Sequence, residues 1–131
     1  MTIAQLLTSF EGRISRSGFW IGMLCLCLIA AAFALVAHLA GIPVRSFDTE
    51  EELGTGGTIL AVVEVAVLGY TQFALFAKRW HDRGKSGWWS LILFVPVIGF
   101  FWWLIECGML QGDPGPNAYR PPPVGVRPQI A

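Results

Sequence analysis

The fold of this chain is decided by a short basic and aromatic stretch, Lys78-Arg79-Trp80-His81-Asp82-Arg83-Gly84-Lys85-Ser86-Gly87-Trp88-Trp89, which lies between two long apolar runs. Residues 78–85 hold four Lys or Arg side chains, and a hydrophobic segment follows at once. Cations and Trp rings beside an apolar run are typical of a turn at a membrane surface. We call residues 78–87 the connector and expect it to join two membrane-embedded segments.

The composition supports a membrane location. Of the 131 residues, 54% are hydrophobic and only 14% are charged, and the mean hydropathy of +0.57 lies outside the usual soluble range. The formal net charge is zero, but the charges are segregated: cations flank the apolar runs, and acidic residues gather in 48–52. Such segregation indicates membrane threading and argues against nucleic-acid binding.

Three apolar runs are each long enough to cross a bilayer, whose hydrocarbon core needs about 20 helical residues. We predict an all-α membrane protein, a single membrane domain with three transmembrane helices. The expected segments are an interfacial helix and basic turn (1–18), span one (19–41), an acidic outer loop (42–57), span two (58–77), the cytoplasmic connector (78–87), span three (88–108) and an extended tail (109–131).

Both ends of the chain have their own patterns. Apolar residues at 3, 6, 7 and 10 follow a helical period, and Thr2 with Gln5 forms a capping box, so a short amphipathic helix at the membrane surface is expected. The end is Pro-rich and predicts an extended tail. Because the amino-terminal segment and the connector together hold six cations, we place the amino terminus inside; three spans then put the carboxyl terminus outside.

The candidate site for anionic headgroups or a partner protein combines the connector with the cations that the threading brings beside it. Its members are Arg13, Arg16, Lys78, Arg79, His81, Asp82, Arg83, Lys85, Ser86, Trp88 and Trp89. The cations either set the orientation alone or also bind acidic lipid, to which each would contribute about 1 kcal/mol.

A second candidate site lies inside span two. Glu64, Thr71 and Gln72 fall on one side of a helix, and that side is expected to face protein or water. The stripe either takes part in transport or packs against a neighbouring helix.

No pattern predicts a catalytic residue, a cofactor or a metal site. Gly84-Lys85-Ser86 lacks the earlier glycine of a phosphate-binding loop, because position 79 is Arg. Cys25 and Cys27 lie in an apolar run without a neighbouring histidine or carboxylate, and these two and Cys107 are interpreted as small apolar residues. His81 and Asp82 are the only candidates for an enzyme acting on lipid.

Four spaced motifs carry a family resemblance: residues 12–20, residues 78–89, Pro96-Val97-Ile98-Gly99 and Gly115-Pro116-Asn117. In these the chain resembles the small bacterial inner-membrane proteins grouped as domain of unknown function 805. Trp80 stands where that family typically has Leu, and residues 118–120 depart from its Arg-Phe/Tyr-Gly pattern. The resemblance implies a multi-pass plasma-membrane protein of bacteria and no particular activity.

The expected function is therefore binding. We predict a non-enzymatic scaffold or binding module that presents a basic, aromatic cytoplasmic turn and associates with itself, with another membrane protein or with membrane lipids. The alternative is a small transporter or channel subunit that uses Glu64.

Overall fold

The computed structural model describes residues 2–42 and 54–119. Its elements are α1 (Ile3–Thr8), α2 (Arg16–Leu39), α3 (Gly54–Asp82), a 3-10 helix (Gly87–Phe94), α4 (Ile98–Trp103) and a π-helical turn (Leu104–Met109). Most of the predicted acidic loop, 43–53, and the end of the predicted tail, 120–131, lie outside the described residues. The prediction of a mainly helical membrane fold is confirmed.

The two long helices, α2 and α3, are apolar enough to cross a membrane. With 24 and 29 residues they are about 36 Å and 43 Å long. Ser15 caps α2 by accepting a hydrogen bond from the amide of Gly18. The helices pack closely at Gly22, where a Cβ atom would lie 2.4 Å from Leu75 Cδ1. Helix α3 continues past the predicted end of span two and includes the first half of the connector.

The predicted third span is not a continuous helix, so the prediction of three transmembrane helices is not confirmed. The 3-10 helix Gly87–Phe94 is the first arm of a hairpin, and the second arm is Ile98–Met109. The arms are about 16 Å and 18 Å long, well short of the roughly 30 Å of hydrocarbon in a bilayer. The chain turns back because Pro96 interrupts the helix and Gly99 permits close packing: a Cβ atom there would lie 1.8 Å from the carbonyl oxygen of Ile92.

The tail returns to the end of the molecule where α2 begins. Arg13 donates hydrogen bonds to the carbonyl oxygens of Asp113 and Gly115, at 2.6 Å and 2.8 Å. The amide of Asp113 donates to the carbonyl oxygen of Asp82 at 2.7 Å. We predicted an extended tail on the side of the membrane opposite the amino-terminal segment, whereas residues up to 119 include contacts with Arg13 and Asp82.

The amino-terminal helix forms as expected, with the Thr2 and Gln5 capping box present. Leu6 and Leu7 are buried and Ile3 is exposed, so one side of α1 packs on the protein. Below α1 lies a core of mostly aromatic and aliphatic side chains at the connector end of the bundle. It comprises Leu6, Ile14, Phe19, Leu26, Leu75, Phe76, Trp80, Trp103 and Cys107.

Candidate functional site

A buried carboxylate lies at the centre of the connector end. Asp82, 3% exposed, accepts hydrogen bonds from Arg13 Nε at 3.1 Å and from Arg79 Nη1. The two guanidinium groups are themselves almost fully buried. Arg79 and Asp82 are three residues apart in the last turns of α3 and so share one face of the helix. We call Arg13, Lys78, Arg79 and Asp82 the polar cluster.

The cations of the polar cluster also bind backbone carbonyl groups from other segments. Arg79 donates to Cys107 O at 2.5 Å and to the carbonyl oxygen of Leu110, which end the second arm of the hairpin. Lys78 Nζ donates to Gln5 O at 2.8 Å and to Leu6 O in α1. Carbonyl groups at a helix end lack partners within the helix and attract cations. The cluster thus joins α1, α3, the hairpin and the tail.

His81 and Asp82 face different partners. The Nδ1 atom of His81 lies 3.1 Å from Gly12 O, and its ring stacks on Tyr119 with centroids 4.0 Å apart. Asn117 Nδ2 donates to His81 O at 2.9 Å. The imidazole therefore helps to hold the tail, and the hypothesis of a His81–Asp82 proton-transfer pair gains no geometric support.

A second group of ion pairs, centred on Glu106, lies at the same end of the molecule. Glu106 accepts hydrogen bonds from Arg83 at 2.9 Å and from Lys85 at 2.7 Å, and the ammonium group of Lys85 lies 5.3 Å from the Trp89 ring centroid. Glu106 lies level with the connector, outside the two spanning helices. Partial burial would raise the pKa of this carboxyl group, but the hydrogen bonds and charges of Lys85 and Arg83 outweigh burial and lower the pKa overall.

The predicted headgroup residues therefore divide into two groups. The first group is buried and bonded within the chain: Arg13, Lys78, Arg79 and Asp82. The second group is accessible, with three exposed residues, Arg16, Trp88 and Trp89, and four half-buried ones, His81, Arg83, Lys85 and Ser86. Arg16 donates to Met109 O at 3.1 Å and remains exposed. Ser86, Trp88, Trp89 and Ile92 line an open cavity of about 380 Å³.

The three residues of the predicted intramembrane stripe have different surroundings. The hydroxyl of Thr71 is used by its own helix, donating to Val67 O at 2.8 Å, and Gln72 is exposed. Glu64 is half-buried, and within the described part of the chain it has no hydrogen bond or ion pair. Residues 2–42 and 54–119 contain no group of three His, Cys, Asp or Glu side chains placed to hold a metal ion.

Sequence reasoning missed the partners that enclose the connector, namely Glu106, Asp113 and Asn117. Glu106 lies near the end of the third apolar run, so a continuous span would place it at the opposite membrane surface. The signal that could have located it is the Pro96 and Gly99 pair, since a reversal there returns Glu106 to the connector. Asn117 was recognised within a motif but had no predicted contact.

Comparison with known proteins adds a family and several relatives. A family model described as "Protein of unknown function (DUF805)" matches residues 7–121. The chain is 29% identical to "Uncharacterized protein YiiR" of Escherichia coli K12 over 143 residues, covering 91% of this chain and 88% of that protein. It is 27% identical to "Inner membrane protein YhaH" of the same strain over 115 residues, 87% and 86% of the two chains. "Inner membrane protein YhaI" is 26% identical over 121 residues, 91% and 89%. No solved structure matches.

Proposed function

Since the chain belongs to the DUF805 family of proteins of unknown function, we propose that it is an inner-membrane protein that acts by binding inside the bilayer and not by catalysis. The observation that supports this proposal is the state of Glu64. Its half-buried carboxyl group lies in a spanning helix about 21 Å along the axis from Lys78, and the described part of the chain supplies no partner for it.

A carboxyl group in hydrocarbon costs several kcal/mol unless it is hydrogen-bonded, paired or hydrated. Lipid tails cannot satisfy it. We infer that a polar group on another helix does, from a second copy of this chain or from another membrane protein. Large apolar side chains such as Val62 and Val65 are exposed beside it and offer a packing surface.

Variants of Glu64 test the binding role. Glu64→Gln keeps the shape and hydrogen-bonding capacity and is expected to preserve association, whereas Glu64→Leu is expected to weaken it. Association is measured by crosslinking and native mass spectrometry of the protein from membranes, with Val62→Leu as the matched control on the same helix. A Glu64→Leu protein that associates as strongly as the unmodified protein would contradict the proposal.

The same residue supports a second candidate, a small transporter or channel subunit. A titratable group without a partner at this depth is the feature that proton or cation movement requires. In that case Glu64→Gln would abolish flux in reconstituted vesicles while association persists. We expect no flux from the unmodified protein, and a current that depends on Glu64 would replace the binding proposal.

We call the accessible cations at the connector end, Arg16, Arg83 and Lys85, the rim. The rim is proposed to contact anionic headgroups, with Trp88 and Trp89 at the same surface. Their partial or full exposure supports this role, and the buried cations are left out of it. Replacing the three cations by Gln is expected to lower the acidic lipid that copurifies, with insertion unchanged. Equal lipid content in the inserted variant would leave the rim as an orientation signal.

A further inference from the structure

The hairpin formed by Gly87–Phe94 and Ile98–Met109 exposes apolar surface at its tip. Phe94 is 83% exposed, and Val97 and Ile98 are also well exposed. Between Ser86 and Glu106 the chain has no charged residue. A turn that faces water is rich in polar residues, so a turn of this composition is suited to hydrocarbon.

Most backbone amides of the tip have acceptors within the hairpin. In hydrocarbon an amide group without a partner costs several kcal/mol of free energy, which restricts irregular backbone there. At this turn the amides of Val95, Ile98, Gly99 and Phe101 all donate to carbonyl groups of the hairpin, at 2.8–3.1 Å. Pro96 has no amide hydrogen to satisfy. The amides of Val97 and Phe100 have no backbone acceptor at this turn, so the hairpin itself satisfies most but not all of the donors that would meet lipid.

The base of the hairpin is held at the level of the charged groups. Its first arm begins directly after the connector, and Glu106 in the second arm binds Arg83 and Lys85. Trp20, in the first turns of α2, donates to Gly108 O at 3.1 Å. Both ends of the hairpin thus lie on the side of the membrane where α2 begins and α3 ends.

We propose that residues 87–109 enter one leaflet from the connector side, turn near the bilayer midplane and leave on the same side. The partner of the exposed aromatic and aliphatic surface is the acyl-chain region of that leaflet, which the excess of cations identifies as the cytoplasmic one. The arms of about 16 Å and 18 Å match half of a hydrocarbon core of roughly 30 Å. Both described ends of the chain then lie in the cytoplasm.

The consequence is a protein with different widths in the two leaflets. Four helical segments occupy the cytoplasmic leaflet, the two spanning helices and the two arms. The spanning helices alone, of the segments described, reach the other leaflet. The wider half displaces acyl chains on one side only. This arrangement requires the membrane location and holds whether or not Glu64 mediates association, so the two proposals can fail separately.

Thiol labelling of the full chain in inner-membrane vesicles of known orientation tests the threading. Ser17→Cys and Ala118→Cys place exposed thiols before and after the hairpin, and Phe94→Cys places one at the tip. The unsubstituted protein, with its native cysteines, gives the background. With a membrane-impermeant maleimide, positions 17 and 118 are expected to react from the same, cytoplasmic side, and position 94 from neither. Pro116→Cys serves as a second tail position.

Each other result overturns the proposal. Reaction of positions 17 and 118 from opposite sides would mean that the segment crosses the membrane. Rapid reaction of position 94 would mean that the hairpin lies in water.

A second experiment identifies what contacts the hairpin. A phospholipid with a photoreactive acyl chain is expected to attach to residues 88–102. Attachment of a second protein there in place of lipid would also contradict the proposal, because the partner would then be a protein.

Discussion

Replacing Asp82 by Asn removes one negative charge from the polar cluster and leaves the side-chain volume nearly unchanged. Asp82 lies between Arg13 and Arg79, whose side chains are 1% and 0% exposed. The variant therefore keeps two buried guanidinium ions and removes the carboxylate that both of them contact. An unpaired buried charge is far more costly than a lost surface ion pair.

Removing one partner of a buried ion pair costs about 3–5 kcal/mol in free energy of unfolding. Arg79 keeps its carbonyl acceptors at Cys107 and Leu110, and Arg13 keeps those in the tail, so we expect the lower end of this range. A loss of about 3 kcal/mol reduces the folding equilibrium constant by roughly 100-fold.

The assay is equilibrium unfolding in mixed micelles with increasing SDS, followed by Trp fluorescence. The matched control is Glu106→Gln, which breaks ion pairs that are partly exposed and is expected to cost about 1 kcal/mol or less. If Asp82→Asn loses no more stability than this control, Asp82 does not stabilise the fold as a buried counterion. A double-mutant cycle with Arg13→Gln should show clear non-additivity, since the two side chains are in contact.

Two further predictions concern the hairpin. Gly99→Ala would place a Cβ atom 1.8 Å from Ile92 O and is expected to cost about 1–3 kcal/mol in the same unfolding assay, whereas Gly69→Ala, with open space around it, should be neutral or slightly stabilising; equal effects would refute the close packing of the arms. The ion pairs of Glu106 predict a pH dependence: because its folded-state pKa is lowered from 4.5, its contribution is present above pH 4.5 and is lost as the pH falls through the folded-state value. Acid should therefore destabilise the unmodified protein more than Glu106→Gln, and parallel pH profiles would contradict the assignment.

Composition and periodicity were sufficient for the membrane class and for the two long helices. Runs of apolar residues near 20 in length have few alternatives to a spanning helix, because lipid cannot satisfy exposed backbone groups. The capping box of Thr2 and Gln5 was equally predictable, since all of its partners lie within four residues. These are local properties of the chain.

The third apolar run shows where such reasoning stops. Its length and composition match a spanning helix as well as they match a hairpin, and Pro96 is compatible with a kink or with a reversal. The choice depends on contacts between residues far apart, such as Glu106 with Lys85 and Trp20 with Gly108. A continuous span there would separate the tail from the amino-terminal segment, whereas the structure brings the two into contact.

The burial of the connector's cations could not be predicted from the sequence either. A cluster of Lys and Arg beside an apolar run is the same in sequence whether its side chains face headgroups or bind within the protein. Arg79 is buried because Asp82 in its own helix and the carbonyl groups of Cys107 and Leu110 at the end of the hairpin surround it. Whether an apolar run is long enough to span a membrane depends only on residues that are neighbours along the chain. Which groups pair with a buried charge depends on the tertiary structure, because the cost of desolvating the charge must be offset by the groups that the fold brings beside it.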